Sequence, residues 1–389
     1  MAKAKSDTKE EVEVSSKDLL GGLMKQYSAD HFNLIRPKHR IISTGSLKLD
    51  TEVKIRSGCV VRLSGLGAEL GKTSETLVLL ANYMATMPKS KAIFFKAEGR
   101  LSEEMQKRSG LKFVHNAEEW EYGTVFVFSG NKFEVVATII ETLLKDMFEK
   151  GEYLAIAIDS LDGLTLRSDA EKDLWSGKES PKVAGVQLLT KHLFRRVALP
   201  ITHYDALLVI TSQYSAPISL DPYTQAGPRQ VSGGGGSSAM HQSDYVFELG
   251  QRWKGDYILE DPNAKPDPVK NKTVGLWATY NIKKSGTDVT GATIKVPIKR
   301  GRVGCAIWIE MEVADMALAY GFVTKAGAWL TFASSIVADA AKEGVIIEPK
   351  IQGLNALYEY MENDRAVFEW LLKTFRKTLG LEESNNSGE

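Results

Sequence analysis

Residues 60–76 constrain this chain more than any other stretch: Val60-Val61-Arg62-Leu63-Ser64-Gly65-Leu66-Gly67-Ala68-Glu69-Leu70-Gly71-Lys72-Thr73-Ser74-Glu75-Thr76. An apolar run enters a Gly-rich turn, meets Gly71-Lys72-Thr73, and leaves as an apolar helical pattern. That succession is the architecture of a P-loop. Backbone N–H groups in such a turn point inward and cradle phosphate oxygens, the Lys adds a point charge, and the Thr hydroxyl can ligate Mg²⁺. A nucleoside triphosphate is the first ligand to consider. The usual spacing, G-x-x-x-x-G-K-[ST], would put the first glycine at position 66, which Leu66 occupies. Either the turn is one residue longer and starts from Gly65, or Gly67 supplies the freedom. Candidate phosphate contacts are therefore Gly65, Gly67, Leu70, Gly71, Lys72, Thr73 and Ser74.

At 389 residues the chain can bury a large core and exceeds one typical domain. Apolar residues make up 43% and charged residues 25%, as in ordinary soluble proteins. No apolar run reaches membrane-spanning length, and the charged, polar start does not read as a signal peptide. Cys59 and Cys305 show no metal-binding spacing, so a reduced, cytoplasmic setting is expected. The formal net charge is zero. Any nucleic-acid binding must come from local clusters and polar loops, not from whole-chain charge.

The leader, residues 1–16, reads as disordered. Ser16–Ser28 reads as a short amphipathic helix with Leu19, Leu20, Leu23 and Met24 on one face, suited equally to packing or to docking on a second subunit. Strands then alternate with helices. The expected strands are Val60–Ser64, Lys91–Lys96, Thr124–Ser129, Tyr153–Ser160 and Ala206–Ser212. The helices between them are Ser74–Met87, Ser102–Ser109, Phe133–Phe148 and residues 183–199. Such alternation predicts a parallel sheet covered on both faces. Past residue 244 the pattern changes to Tyr245–Leu249, Val274–Lys283, Thr293–Arg300 and Ala306–Glu310, an antiparallel extension with an exposed loop over 254–272. The expected division is a leader and oligomerisation helix over 1–40, a core over 41–311, a small, mainly helical domain over 312–381, and a disordered acidic tail over 382–389.

A P-loop needs an acidic partner for Mg²⁺ at the end of a buried strand. Leu154-Ala155-Ile156-Ala157-Ile158-Asp159 has that form, and Thr73 and Asp159 are the candidate metal ligands. The strand after the P-loop helix ends in Glu98, where a carboxylate could orient or deprotonate water. A third strand ends in Gln213, whose amide both donates and accepts and could sense a γ-phosphate. Beyond it a long loop, Tyr214–Ser238, contains Ser232-Gly233-Gly234-Gly235-Gly236-Ser237-Ser238. Four glycines in a row favour no fixed backbone. A mobile polar loop joined to Gln213 suits a ligand-gated, nucleic-acid-binding element.

In this order the motifs resemble the RecA family of homologous-recombination ATPases, including the phage UvsX recombinases. The resemblance runs from about Ile42 to Leu381. Ile42-Ser43-Thr44-Gly45-Ser46-Leu47-Lys48-Leu49-Asp50 resembles the family's opening ISTGSLxLD segment. Ala97-Glu98 stands at its catalytic Glu, Asp159-Ser160 at its Walker B end, and Gln213 at its sensor Gln. Gly235-Gly236-Ser237-Ser238-Ala239 resembles the end of its second DNA loop. Lys325-Ala326-Gly327-Ala328-Trp329, Gln352-Gly353-Leu354-Asn355-Ala356 and Glu362-Asn363-Asp364 are similar to its terminal domain.

The resemblance implies an α/β fold: a RecA-like P-loop NTPase core with a mostly parallel central sheet, a short N-terminal helix and a small C-terminal α-rich domain. It implies a DNA-dependent ATPase that uses ATP and Mg²⁺, forms a helical filament on single-stranded DNA, and pairs and exchanges strands with duplex DNA. Lys72, Glu98 and Gln213 would be the catalytic residues. Lys283 and Lys284 would reach a neighbouring subunit's phosphates, and Met105 stands where relatives stack an aromatic on adenine. A first DNA loop would span Glu171–Gly185. In the second, Arg229, Gly233, Gly234, Gly235, Gly236 and Ser237 would contact DNA, largely through backbone N–H groups. A mediator and a single-strand-binding protein are further partners that such a filament could use, in a bacterial host's cytoplasm or nucleoid and away from membrane. The alternatives are a hexameric helicase or motor on the same core, against which the KAGAW-like segment speaks, and a non-hydrolysing DNA-binding filament protein, against which Lys72, Thr73, Glu98, Asp159 and Gln213 speak.

Overall fold

The computed structural model describes residues 15–28, 31–33, 37–65, 70–99, 101–170, 185–215, 232–233, 236–261, 264–267 and 269–381. Leu66 and Gly67 of the P-loop, most of the first expected DNA loop, Arg229, Gly234, Gly235 and the acidic tail lie outside these residues. The chain divides after Pro37 into two units. The first contributes helix α1 (Ser16–Gln26), shorter by two residues than its periodicity predicts. Ser15 caps it by accepting from Lys17 N at 3.2 Å. Its Leu19, Leu20 and Leu23 are exposed.

The second unit, from Lys38, is built around one large sheet. In chain order its helices and strands begin with α2 (Leu47–Val53), β1 (Cys59–Gly65), α3 (Lys72–Thr86), β2 (Ser90–Lys96), α4 (Glu103–Ser109), β3 (Lys112–Val114) and β4 (Thr124–Phe128). They continue with α5 (Phe133–Glu149), β5 (Tyr153–Asp159), α6 (Arg167–Ala170), α7 (Gly185–His203), β6 (Leu207–Ser215), β7 (Ser232–Gly233), α8 (Gly236–Gln242), β8 (Tyr245–Leu249), β9 (Tyr257–Leu259), β10 (Thr273–Lys284) and β11 (Thr293–Lys299). Among the described residues the sheet holds 11 strands in the order β11-β10-β8-β1-β6-β5-β2-β4-β3, with β7 on β6 and β9 on β10. From β8 to β3 every neighbouring pair is parallel; β9, β10 and β11 extend the sheet antiparallel.

Strand alternation divides the interior into two layers. Val61, Leu63, Ala92 and Phe94 face α3, whose Leu77, Leu80 and Tyr83 complete one core. Val60, Ile93, Phe95, Ile156 and Ile158 face the other way, toward Val136, Ile140 and Leu144 of α5 and Phe194 and Val197 of α7. The near-continuous apolar runs therefore reflect strands buried on both faces. All seven residues of the central β1 are buried.

One expectation requires correction. Ala306–Glu310 does not form a strand: Ile307 makes one isolated bridge to Ile298, and helix α9 (Ile309–Ala319) begins immediately after Trp308. Its first turn carries Glu310 and Glu312, and acids favour the positive end of a helix over a ladder position. The region from 312 onward is mainly helical, as its sequence predicts. It holds a three-stranded sheet, β12 (Val323–Ala326), β13 (Trp329–Phe332) and β14 (Lys350–Gln352), with α9, α10 (Ser334–Lys342), α11 (Leu354–Asn363) and α12 (Arg365–Thr378) around a separate apolar cluster. The KAGAW-like segment is the β12–β13 hairpin, and Gly327 occupies its turn at φ +63°. This region is tied to the sheet by the buried Glu312, which accepts from Ser46 Oγ and Leu47 N, each at 2.7 Å, at the start of α2. None of the described helices is long and apolar enough to cross a membrane.

Candidate nucleotide-binding site

Parallel strands end along one edge, and the chain places its chemistry there. β1 ends at Gly65, where a Cβ would lie 2.7 Å from Leu70 Cδ1 and 3.0 Å from Leu249 O, so no larger residue fits unless its neighbours move. Gly71 adopts φ +102° and opens α3, whose first residues are Lys72 and Thr73. The N–H groups of that first turn have no intrahelical acceptor and carry the positive end of the helix dipole.

Asp159 ends β5 between two hydroxyls. Thr73 Oγ1 donates to its Oδ2 at 2.7 Å and Thr211 Oγ1 to its Oδ1 at 2.5 Å. The Asp159 carbonyl accepts from Ala97 N at 3.0 Å and Glu98 N at 3.2 Å, which fixes the end of β2 against the end of β5. The Glu98 carboxylate accepts from Ser160 Oγ, and Gln213 Nε2 approaches its Oε2 at 3.2 Å. A short turn, Leu161–Gly163, passes directly beneath. A Cβ on Gly163 would come 2.8 Å from Glu98 Cγ, so this glycine permits the close approach. The three strand ends singled out in the sequence, Glu98, Asp159 and Gln213, thus converge with Thr73 and Lys72 on one cleft of about 840 Å³.

The same cleft extends past Met105 and Arg108 on α4 to Arg302. Arg302 is held by Glu310 Oε1 at 2.6 Å and by the Ile307 carbonyl at 2.9 Å. Ser74 also lines it, whereas Lys283 and Lys284 do not. Lys283 Nζ pairs with Glu248 at 3.3 Å, and Lys284 Nζ donates to the His241 and Ser243 carbonyls at 2.8 and 2.6 Å, closing the C-terminal end of α8. The Gly-rich stretch is more regular at its ends than four glycines suggest: Gly233 pairs with Tyr214 in β7–β6, and Gly236 and Ser237 open α8.

Glu75, one turn into α3, also lines the cleft. Tyr280 Oη donates to its Oε2 at 2.9 Å, and burial pushes its carboxyl up to about 8. Thr211, Asp162, Gly163 and Arg302 escaped sequence reading. Thr211 alone had a usable signal, since it lies two residues before Gln213 and shares its side of β6.

The donor set fits a nucleoside triphosphate with Mg²⁺. A cleft of this size accommodates a ligand of that class. Lys72 offers a fixed cation to phosphate, and a threonine hydroxyl 2.7 Å from a carboxylate offers the hard oxygen ligands that Mg²⁺ takes alongside phosphate and water.

No family model matches the chain. It is 21% identical over 334 residues to Protein RecA of Bordetella avium (strain 197N), covering 84% of this chain and 79% of that one. It is 24% identical over 315 residues to the mitochondrial DNA repair protein recA homolog of Dictyostelium discoideum, covering 79% of this chain but only 59% of that protein. Both similarities span most of the chain and carry one family name, and both accord with a mostly parallel sheet ending in these ordered motifs: over most of its length the chain is similar to RecA proteins.

Proposed function

We propose that this protein is an ATP-dependent DNA recombinase of the UvsX-like kind, which forms a helical filament on single-stranded DNA and catalyses homologous pairing and strand exchange. The observation that carries the reading is the convergence of Lys72, Thr73, Asp159, Glu98 and Gln213 on one cleft. Lys72 and the first turn of α3 bind the terminal phosphates of ATP. Thr73 and Asp159 hold Mg²⁺, which when bound neutralises charge on the phosphates. Glu98 accepts a proton from the attacking water, and Ser160 and Gln213 orient its carboxylate for that step. Gln213 joins this edge to the polar loop that follows it, and DNA held by that loop sets the rate of hydrolysis.

Lys283 and Lys284 lie outside their own chain's cleft, in keeping with a role at a neighbouring subunit's phosphates. The exposed Leu19, Leu20 and Leu23 of α1 suit a face that packs on a second copy. Homologous strand exchange between a circular single strand and a linear duplex, with and without ATP, tests the proposal. Joint molecules that need both ATP and Lys72 are expected. Hydrolysis indifferent to DNA, with no joint molecules, would overturn the recombinase reading.

A further inference from the structure

Gln213 is held twice. Its side-chain amide reaches Glu98, and its backbone N–H donates to Asp162 Oδ2 at 2.6 Å. The second bond has a topological cause. β5 pairs with β6 only as far as Ile158 and Ile210, and β5 ends at Asp159, while β6 runs on to Ser215. On that side the β6 backbone has outrun its neighbour, and the Gln213 N–H has no strand carbonyl to meet. Asp162, in the turn just after β5, supplies a carboxylate in its place. The turn sits close enough to do so because Gly163 lets it pass under Glu98.

We infer that Asp162 is the positioning residue of the site: its carboxylate pins the Gln213 backbone, so that movement of the Gln213 amide toward or away from Glu98 passes into the residues beyond β6. The inference rests on the ATPase reading above. A backbone free to shift would absorb the change in side-chain position locally. A backbone pinned on one side by β1, through the Gly65–Gln213 register, and on the other by Asp162 has to transmit it. The bond is made to an ionised acceptor and is short, which makes it stronger than an ordinary ladder bond. Asp162 is exposed and does not line the cleft, and its bond to the Gln213 N–H is what links it to the site.

The test compares Asp162→Ala, which removes the acceptor, with Asp162→Asn, which keeps an oxygen in place. The readout is the ratio of ATP hydrolysis with single-stranded DNA to that without, alongside the affinity for a non-hydrolysable ATP analogue. Asp162→Ala should lower the ratio about tenfold, the weight of one hydrogen bond to a charged group, with analogue affinity within about twofold of wild type. Asp162→Asn should recover most of the ratio. An unchanged ratio in Asp162→Ala, or equal loss in both variants, overturns the inference. Hydrogen exchange at the Gln213 amide of the unaltered protein provides a measurement that needs no variant: slow exchange is expected, and exchange at the rate of an unbonded amide overturns it. Wild-type protein with no DNA-stimulated hydrolysis would instead sink the functional reading, while amide protection would still report on the bond.

Discussion

The two ends of the cleft are built on opposite principles. At the phosphate end, side chains come from the C-terminal tips of parallel strands and from the first turn of α3, and they hold one another: Thr73 and Thr211 on Asp159, Ser160 and Gln213 on Glu98. At the other end the groups come from α4, from along β10 and β11, and from the segment after β11. There the cation Arg302 is held by Glu310, a residue of α9. The phosphate end is therefore preorganised by the sheet, whereas the far end depends on the region that follows residue 308. A parallel sheet offers several independent strand ends at one edge, and chemistry that needs several groups at fixed spacing collects there. The antiparallel extension has no such edge and contributes side chains from along β10 and β11 together with the ion-paired Arg302 beyond them.

Substitutions at the two ends should differ in size and kind. Lys72→Ala should abolish ATP turnover, by at least about a hundredfold, with folding retained, since it removes the fixed cation from the phosphates. A steady-state ATPase assay near the wild-type rate would break the contrast at its strongest point. Glu98→Gln keeps shape and hydrogen bonding but cannot accept the proton. Turnover should fall by about two orders of magnitude or more while an ATP analogue still binds and filaments still form. Loss of analogue binding in equilibrium titrations would make Glu98 structural.

At the far end, Glu310→Gln should loosen Arg302 and raise the KM for ATP about threefold, more than it lowers kcat, as expected for a group that affects binding rather than the transition state. A fall in kcat with KM unchanged would erase the distinction between the ends.

The smallest effect concerns two buried acids, Glu75 in the cleft and Glu312 outside it, against the start of α2. Burial raises Glu75 to about 8 and Glu312 to about 7, against a usual value of 4.5. A carboxyl raised on folding keeps its proton where the unfolded chain has lost it. Its stabilising effect is complete below the unfolded value and fades as pH rises through the folded one. Thermal stability should therefore decline between about pH 5 and pH 8. Glu75→Gln, which resembles the protonated acid, should lessen that decline by about a few degrees in Tm. Parallel melting curves of the two proteins across that range would refute this.

The central strands were legible because a strand buried on both faces must be apolar throughout, and a polar residue that ends such a run stands out. Asp159 ends such a run directly, whereas Glu98 and Gln213 follow theirs after two further residues and are telling only in their order after the P-loop. Ala306–Glu310 was misread for the same reason. Ala-Ile-Trp-Ile looks like a strand, and Ala306 and Trp308 do bond to β11 on either side of the Ile307 bridge, yet the pairing stops there because the acids that follow start a helix. The hairpin at Lys325–Trp329 was hidden by its shortness, since strands of four residues carry too few alternations to show a period.

The residues of the site and their order along the chain follow from sequence by itself: P-loop, Glu98, Asp159, Gln213, each at or just past the end of its own apolar run. Their mutual geometry does not. Sequence separates Thr73 from Asp159 by 86 positions and Gln213 from Glu98 by 115, and only strand order brings each pair within hydrogen-bond distance. Thr211, Asp162 and Arg302 carry no signature of their own, because a polar residue in a turn or a strand acquires its role from what the fold sets opposite it. The tertiary structure decided that Asp162 faces a backbone N–H left over by β5, and that Glu310 faces Arg302, since strand length and helix placement are settled by burial of the whole sheet rather than by any local run of residues.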